Sequence, residues 1–410
     1  MNLIKATAFC VQTPPPHLGG YNWYFVKLET DSGLVGWGEC AVLFSMYGLE
    51  KSFEALVEDN FARYLAGQNP LNREVLTKTM YEGLTSMNPG YFTAGIISAF
   101  DMAMWDIAGK HLDAPVCDLL GGRFRDRVRT YTYIYNLDAG EDLVGSLGDW
   151  LTNPKRVAES ARKIVDQGFT GIKLDPVPYV PLGMAPLYPT ELTLQEYDNA
   201  ERTIEAIRKE VGNEADIIVG THGQITPSAA RRLAKRLEKF DPLWLEEPCP
   251  PENMKEMGRI ADSTTIPIAT GERLAYVHDF QRLFDAGGCH FAQPDLGSCG
   301  GITGAKQIAS LAEAYYVQMA PHVWGGPLIT AAALQLDVCI PNFLIQESIY
   351  KSGLFFDEIL KEPFVWEDGD LLLPERPGLG FELDEEKLAQ YRAKPGMAAL
   401  YEIVEKASKL

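Results

Sequence analysis

Three stretches decide the fold: ADIIVGTHG at 215–223, PLWLEEP at 242–248 and PIATGE at 267–272. Each is a short apolar run that turns polar at its end. The turning points, Gly220, Glu246 and Glu272, stand 26 residues apart each time (246 − 220 and 272 − 246). A short apolar run followed by an amphipathic stretch is the pattern of a buried strand feeding a helix. TPSAARRLAKRLEKF (226–240) supplies such a helix: Thr226 can cap it, Pro227 suits its first turn, and Ala230, Leu233 and Leu237 share a face. The spacing is therefore one βα unit, and the three positions occupy equivalent places on neighbouring strands.

The same grammar extends in both directions. VRTYTYIY (128–135), FTGIKLD (169–175), CHFAQPD (289–295), VQMAPH (317–322) and FLIQES (343–348) bring the strand candidates to eight over roughly 220 residues. Eight βα units predict a (β/α)₈ barrel. An open doubly wound sheet would carry a glycine-rich phosphate turn after its first strand, and VRTYTYIYNLDAG (128–140) is not one. Before residue 126 the pattern differs. YFVKLET (24–30) and GLVGWGEC (33–40) flank the hairpin turn Asp31-Ser32-Gly33, and TAGIISAFDMAMWDIAGKHL (93–112) is helical, stopping near Pro115. The prediction is an α/β protein with a barrel over 126–365, an N-terminal α+β unit over 1–125, and a segment over 366–410 that returns to cover the N-terminal unit.

Composition narrows the function classes. The net charge of −19 argues against nucleic acid and against anionic membranes as partners. An acidic chain can still take an anionic substrate where a metal and a few buried cations reverse the local potential. Seven cysteines, scattered and never spaced CxxC, predict reduced thiols rather than a disulfide frame or a zinc site. The opening MNLIKATAFCVQTPPP lacks the apolar region of a signal peptide, so a cytoplasmic protein is expected.

In a barrel, polar residues at the C-terminal strand ends face the active site. Here those ends carry Lys173 and Asp175, His222, Glu246, Glu272, Asp295, His322 and Glu347, from seven of the eight strands. Two carboxylates on adjacent strands suit a hard cation such as Mg²⁺. Lys173 sits inside an apolar strand, where an unpaired ammonium is costly and a functional partner is expected. His222 and His322 end buried strands and are read as functional. His111, His278 and His290 lie in or beside helices and turns and are read as ordinary polar positions, while His17, in an N-terminal loop, stays open. Glu247 is taken as a loop or helix-start carboxylate, because side chains alternate and only one of the Glu246–Glu247 pair can point inward. Asp175 reads equally well as a cap or turn residue.

The chain also resembles a known family. GLVGWGEC, MAMWDIAGK (102–110), LLGG (119–122), GIKLDP (171–176), LWLEEP (243–248), PIATGERL (267–274), QPDLGSCGGIT (293–303), MAPHVWGGP (319–327) and QES (346–348) together look like the mandelate racemase branch of the enolase superfamily, and most like its galactonate-type sugar-acid dehydratases. The resemblance runs in order over nearly the whole chain. It implies an α+β capping domain, built from the N-terminus and the C-terminal tail, over a modified TIM barrel. It implies metal ligation by Glu246 and Glu272, an Asp295–His322 dyad that moves the proton, and Glu347 as a hydrogen-bonding partner of the substrate carboxylate. Lys173 would supply positive charge nearby, and His222 matches a second acid or base of the dehydratases.

Two positions depart from that pattern. The family's first metal ligand is an aspartate where this chain has Gly220. His222, two residues on and so on the same strand face, or water, would have to fill the gap, and an imidazole ligand would favour Mn²⁺ or Fe²⁺ over Mg²⁺. Asp175 stands where the racemases place the second lysine of Lys-x-Lys, which lowers the expectation of racemisation. The resemblance thus implies an enzyme, a carbon–oxygen lyase that removes the proton alpha to the carboxylate of an acid sugar and yields a 2-keto-3-deoxy acid. Epimerisation, lactone cycloisomerisation and a non-catalytic sugar-acid-binding role are the alternatives. Specificity is expected from HLGGYNW (17–23), LFSMYGLE (43–50) and PVPYVPLGMAPLYPTEL (176–192), and a homo-oligomer from the family tendency.

Overall fold

The computed structural model describes residues 1–15, 17–41, 50–85, 90–135, 153–177, 189–349, 351 and 355–393. Most of the two expected specificity loops at 43–50 and 176–192 falls outside these residues.

The N-terminal unit is a three-stranded antiparallel sheet, β1 (Leu3–Gln12), β2 (Asn22–Thr30) and β3 (Val35–Cys40). The β2–β3 turn carries Gly33 at φ 83°, as its Asp-Ser-Gly sequence requires. Four helices follow, α1 (Glu50–Asn60), α2 (Arg73–Thr85), α3 (Tyr91–Leu112) and the short α4 (Val116–Leu119). Helix α3 lies directly on the sheet because β3 offers it glycines. A Cβ at Gly36 or Gly38 would run into the carbonyl oxygens of Ala103 and Ala99. Asp113, left-handed at φ 50°, ends α3 just before Pro115.

All eight predicted barrel strands form. They are β4 (Arg127–Tyr133), β5 (Gly171–Leu174), β6 (Asp216–Gly220), β7 (Trp244–Glu246), β8 (Ile268–Thr270), β9 (Phe291–Ala292), β10 (Gln318–Met319) and β11 (Gln346–Glu347). Parallel pairing runs in order from β4 to β10, and β11 pairs in parallel with β4. A bridge between Met319 and Phe343 links β10 to the run into β11, so the sheet closes on itself. The helices between strands are α5 (Pro154–Val165), α6 (Leu194–Val211), α7 (Pro227–Leu237), α8 (Met254–Ala261), α9 (Val277–Asp285), α10 (Gly301–Ala314) and α11 (Pro327–Asp337). After β11 the described chain has two short helices, α12 (Phe356–Ile359) and α13 (Glu385–Gln390), in place of a long barrel helix, which makes this a modified barrel. Thr226 accepts from Ala229 N at 3.1 Å with Pro227 at the first helical position, the start expected for α7.

The barrel interior is filled by Tyr131, Ile218, Trp244, Ala269, Ala320 and Ile345, a packed plug beneath the strand ends. The C-terminal segment does more than return to the N-terminal unit. Its strands β12 (Trp366–Glu367) and β13 (Asp370–Leu372) form a hairpin that pairs antiparallel with β4 of the barrel. Beyond it the chain reaches the N-terminal unit, where Leu379 N donates to Asp106 Oδ1 (2.9 Å) and Ala393 N to Cys10 O (2.8 Å).

Buried carboxylates join the N-terminal unit to the barrel. Glu39 accepts from Gly326 N, from Leu328 N (3.0 Å) and from Ile329 N (3.1 Å), capping α11 from another domain. Asp101 of α3 accepts from Thr303 N (3.0 Å) and Thr303 Oγ1 (2.6 Å) in α10. Ser98 Oγ receives Gly300 N and Gly301 N, both at 2.9 Å. These contacts fix the loops after β9 and β10, which carry Asp295 and His322. All seven cysteines are free and buried, as a reduced core requires. Among the described residues no helix is long and apolar enough to cross a membrane.

Candidate active site

Gly220 and Glu246 pair as the spacing predicted, whereas Glu246 is level with Ala269, and Glu272 lies two residues past the end of β8. Lys173, on β5, is 1% exposed and donates to Glu246 and, at 3.1 Å, to Glu347. Its ammonium also lies 4.8 Å from the Tyr133 ring centroid. Burial alone would strip its proton, yet Glu246 and Glu347 hold it charged well above the ordinary lysine value. Glu246 is held on three sides. One oxygen faces Lys173, and the other accepts from Trp244 Nε1 (2.9 Å) and Gln293 Nε2 (2.8 Å). Trp244 lies two residues back on the same strand face, so the barrel plug itself orients this carboxylate.

His322 follows β10 and is 2.7 Å from Asp295 through Nδ1. Asp295 is in turn fixed by Gly297 N at 2.7 Å. The His322 Nε2 looks into the pocket, 3.5 Å from Glu272 Oε2 and 3.6 Å from Glu347 Oε2. Burial pulls this imidazole down, but Glu272, Glu347 and Asp295 outweigh it and raise it to about 10. Burial likewise pushes Glu272 up, and the imidazoles of His322 and His222 reverse this, bringing it to about 2. Glu347 accepts from Lys173 and from Val323 N (3.0 Å), so both its oxygens face donors, and its geometry is that of an acceptor.

His222 reaches the same pocket by another route than expected. Strand β6 stops at Gly220, and His222 sits in left-handed backbone at φ 46°, so the two do not share a strand face. Its Nδ1 is 3.0 Å from Asp175 Oδ2 and its Nε2 is 3.3 Å from Tyr133 Oη. Nδ1 is thus committed to Asp175, and Nε2, beside the Tyr133 hydroxyl, is the ring nitrogen that can face a reacting atom. Burial lowers this imidazole, and Asp175 and Glu272 raise it past that, to about 9.

Gly220 aligns with Glu246 in the β6–β7 register. The space in front of it is filled, for a Cβ there would overlap Asp175 Oδ1 outright and lie 3.2 Å from Asp175 Cγ. Asp175 is 9% exposed, and its Oδ1 has no hydrogen-bond partner among the described residues, as is also true of Glu272 Oε2. The reading of Asp175 as a simple turn residue does not survive this burial.

Other side chains escaped the sequence reading. Glu247 lies in the loop after β7, as expected, but it is buried, at 1% exposure, and takes a forked ion pair from Arg273, with Nε and Nη2 each at 2.9 Å from Oε2. Arg273 also donates to His222 O at 3.3 Å. The signal was present, because 273 − 247 is again 26, the spacing of Glu246 and Glu272. Tyr91, at the start of α3, donates to Glu272 O at 3.2 Å and brings the N-terminal unit to the pocket. Of the remaining histidines, His111, His278 and His290 are exposed and outside it. His17 packs on Tyr21 with ring centroids 4.3 Å apart, and the adjoining Gly19 lies against Gly325 in the loop after β10.

Five carboxylates (Asp175, Glu246, Glu272, Asp295 and Glu347) thus share this pocket with one ammonium, Lys173. Such an excess of buried negative charge demands compensation by protons or by a cation.

Comparison with known proteins bears on this constellation. Residues 17–121 match the mandelate racemase / muconate lactonizing enzyme N-terminal domain, and residues 156–387 match the enolase C-terminal domain-like family. The chain is 34% identical over 399 residues to D-galactonate dehydratase of Cronobacter sakazakii, covering 95% of this chain and 94% of that protein. It is 34% identical over 386 residues to D-galactonate dehydratase of Xanthomonas euvesicatoria, covering 91% and 92%. A solved structure, a candidate mandelate racemase/muconate lactonizing enzyme from Burkholderia SAR-1, is 42% identical, superimposes with a TM-score of 0.90, and covers 97% of this chain and 95% of its own.

Proposed function

The chain belongs to the mandelate racemase/muconate lactonizing branch of the enolase superfamily, and from that premise we propose that it is a cytoplasmic acid-sugar dehydratase. The overall reaction removes the hydrogen alpha to the carboxylate together with the hydroxyl on the next carbon. The resulting enol becomes a 2-keto-3-deoxy acid, with water released. The observation that carries this reading is the Asp295–His322 pair, aimed with Glu272, Glu347 and Lys173 at one buried point.

Members of this superfamily depend on a divalent metal. The residues present fit one chemically: the donors are carboxylate oxygens, Glu272 Oε2 is an orphan, and the pocket carries surplus negative charge. Among the described residues no three ligand groups are drawn together at metal spacing, and Gly220 is one reason. Glu246 and Glu272 would hold the cation. Three of about four lone-pair directions on Glu246 are taken by Lys173, Trp244 and Gln293, which leaves one for a metal. When bound, a divalent cation stabilises the negative charge that develops on the substrate carboxylate as its alpha proton leaves.

The rest of the work falls to side chains. Lys173 places fixed positive charge beside the substrate carboxylate. Elimination needs one neutral imidazole to take the carbon-bound proton and one imidazolium to protonate the departing hydroxyl. His322 and His222, each oriented through Nδ1 by its own aspartate, supply that pair once one of them gives up the proton that the surrounding carboxylates hold on it. Asp175 in place of a second lysine removes an ammonium base, which favours elimination over racemisation. A screen of acid sugars for formation of 2-keto-3-deoxy acid, with Mg²⁺ and after chelation, tests the proposal. Turnover of one stereochemical series that stops on chelation supports it, whereas epimerisation without loss of water sinks it.

A further inference from the structure

Two departures from the family pattern, Gly220 on β6 and Asp175 just after β5, are in contact with each other. The side chain that Gly220 lacks would occupy the volume now held by the Asp175 carboxylate, whose Oδ1 and Cγ stand in front of the Gly220 Cα. Neighbouring strands β5 and β6 are paired in register up to Leu174 and Val219, so residues 175 and 220 leave the sheet side by side. The two changes therefore compensate: a carboxylate absent from one strand end reappears from the next.

The Asp175 carboxylate is also incompletely satisfied where it matters. Its Oδ2 pairs with His222 Nδ1 at 3.0 Å, while Oδ1, buried and facing the Gly220 gap, has no hydrogen-bond partner among the described residues. A buried carboxylate oxygen without a donor is costly unless something positive meets it. Lys173 does not meet it, since its ammonium is spent on Glu246 and Glu347. Resting on the reading that the site holds a divalent cation, we propose that Asp175 supplies its third carboxylate, in place of a side chain at position 220. The same carboxylate then links the cation to His222, so that metal binding and imidazole orientation share one residue.

Titration of chelator-stripped protein with Mn²⁺, followed by electron paramagnetic resonance and calorimetry, separates the possibilities. Asp175→Asn should weaken Mn²⁺ binding by about tenfold or more, the scale of losing one supporting contact at a metal site. Gly220→Asp alone should not tighten binding, because the new side chain meets Asp175. The double variant Gly220→Asp/Asp175→Asn should recover affinity close to that of the native chain. Thermal melts of the metal-free proteins, and Asp175→Ser as a smaller replacement, establish that a loss is not unfolding. Unchanged Mn²⁺ affinity in Asp175→Asn and Asp175→Ser, with binding lost in Glu272→Gln, would overturn the inference and leave the metal reading standing. A loss in Asp175→Asn that the double variant fails to repair would overturn it too, reducing Asp175 to a positioning residue for His222. A native chain with no saturable Mn²⁺ binding would overturn the metal reading itself, and the inference with it.

Discussion

Asp175 holds His222 through Nδ1 at 3.0 Å, and this repeats, on the opposite run of strands, the hold of Asp295 on His322 at 2.7 Å. Two carboxylate–imidazole pairs from β5/β6 and β9/β10 thus frame one pocket. A carboxylate on Nδ1 fixes the tautomer and leaves Nε2 to face the reacting atoms. His322→Asn should therefore lower kcat by about 10²–10⁴-fold, the usual worth of a positioned acid or base. Asp295→Asn should cost less, because the imidazole stays and only its orientation is lost. Steady-state kinetics on both variants, with circular dichroism to verify folding, measure this. A fully active His322→Asn enzyme would move the base to His222.

The two expected metal ligands should behave differently when neutralised. Glu272 Oε2 makes no hydrogen bond, so Glu272→Gln should reduce bound metal and activity together and cost little stability beyond the lost attraction to the His322 and His222 imidazoles. Glu246 neutralises buried Lys173, so Glu246→Gln should in addition destabilise the protein, by about 3 kcal/mol if the ammonium is left half-paired. Metal analysis beside thermal melts distinguishes the two, and native metal content in both variants would refute the assignment.

Glu39 ties the N-terminal unit to the loop that follows His322. Replacing it by Gln turns one acceptor into a donor against the amides of Gly326, Leu328 and Ile329. The expected cost is about 1–3 kcal/mol, the range for leaving a buried donor without its acceptor. Because that loop follows His322, the proposed base, kcat should fall along with Tm. An unchanged Tm would show that this junction contributes nothing.

Asp101 gives a pH-dependent signature. Burial raises its carboxyl, the Thr303 and Thr77 hydrogen bonds hold it back, and it reaches about 6. A carboxyl that holds its proton more tightly when folded makes the native state the better proton binder between its ordinary value and pH 6, so stability falls as pH rises through that window and is flat above it. The difference in Tm between the native chain and Asp101→Asn should accordingly shrink from pH 5 to pH 6.5, then stay constant. Melts across that range check the sign.

Much of this was legible because barrel strands are short, buried and regularly spaced. The spacing put Gly220 and Glu246 in register, while Glu272 lies past the end of β8, whose Ala269 is the partner of Glu246, and all eight strands formed where apolar runs predicted them. What escaped lay just past the strands, where alternation no longer governs direction. Glu247 was set aside because only one of two successive strand residues faces inward. Yet β7 ends at Glu246, and Glu247, at φ 43°, is buried and pairs with Arg273. His222 fails the same rule from the other side, reaching the site from left-handed backbone rather than along β6. The contact between Asp175 and Gly220 crosses two strands and 45 positions (220 − 175), a pairing that only the closed sheet reveals.

The most direct measurement follows the alpha proton itself. The metal-loaded enzyme is incubated with acid sugars, D-galactonate among them, in deuterated water, and the reaction is watched by proton nuclear magnetic resonance. The account predicts that for at least one acid sugar the alpha-proton signal disappears, a 2-keto-3-deoxy acid carrying deuterium at its new methylene accumulates, and both stop in His322→Asn and on chelation. Persistence of every alpha-proton signal in the presence of saturating Mg²⁺ or Mn²⁺, with the enzyme folded, would contradict it.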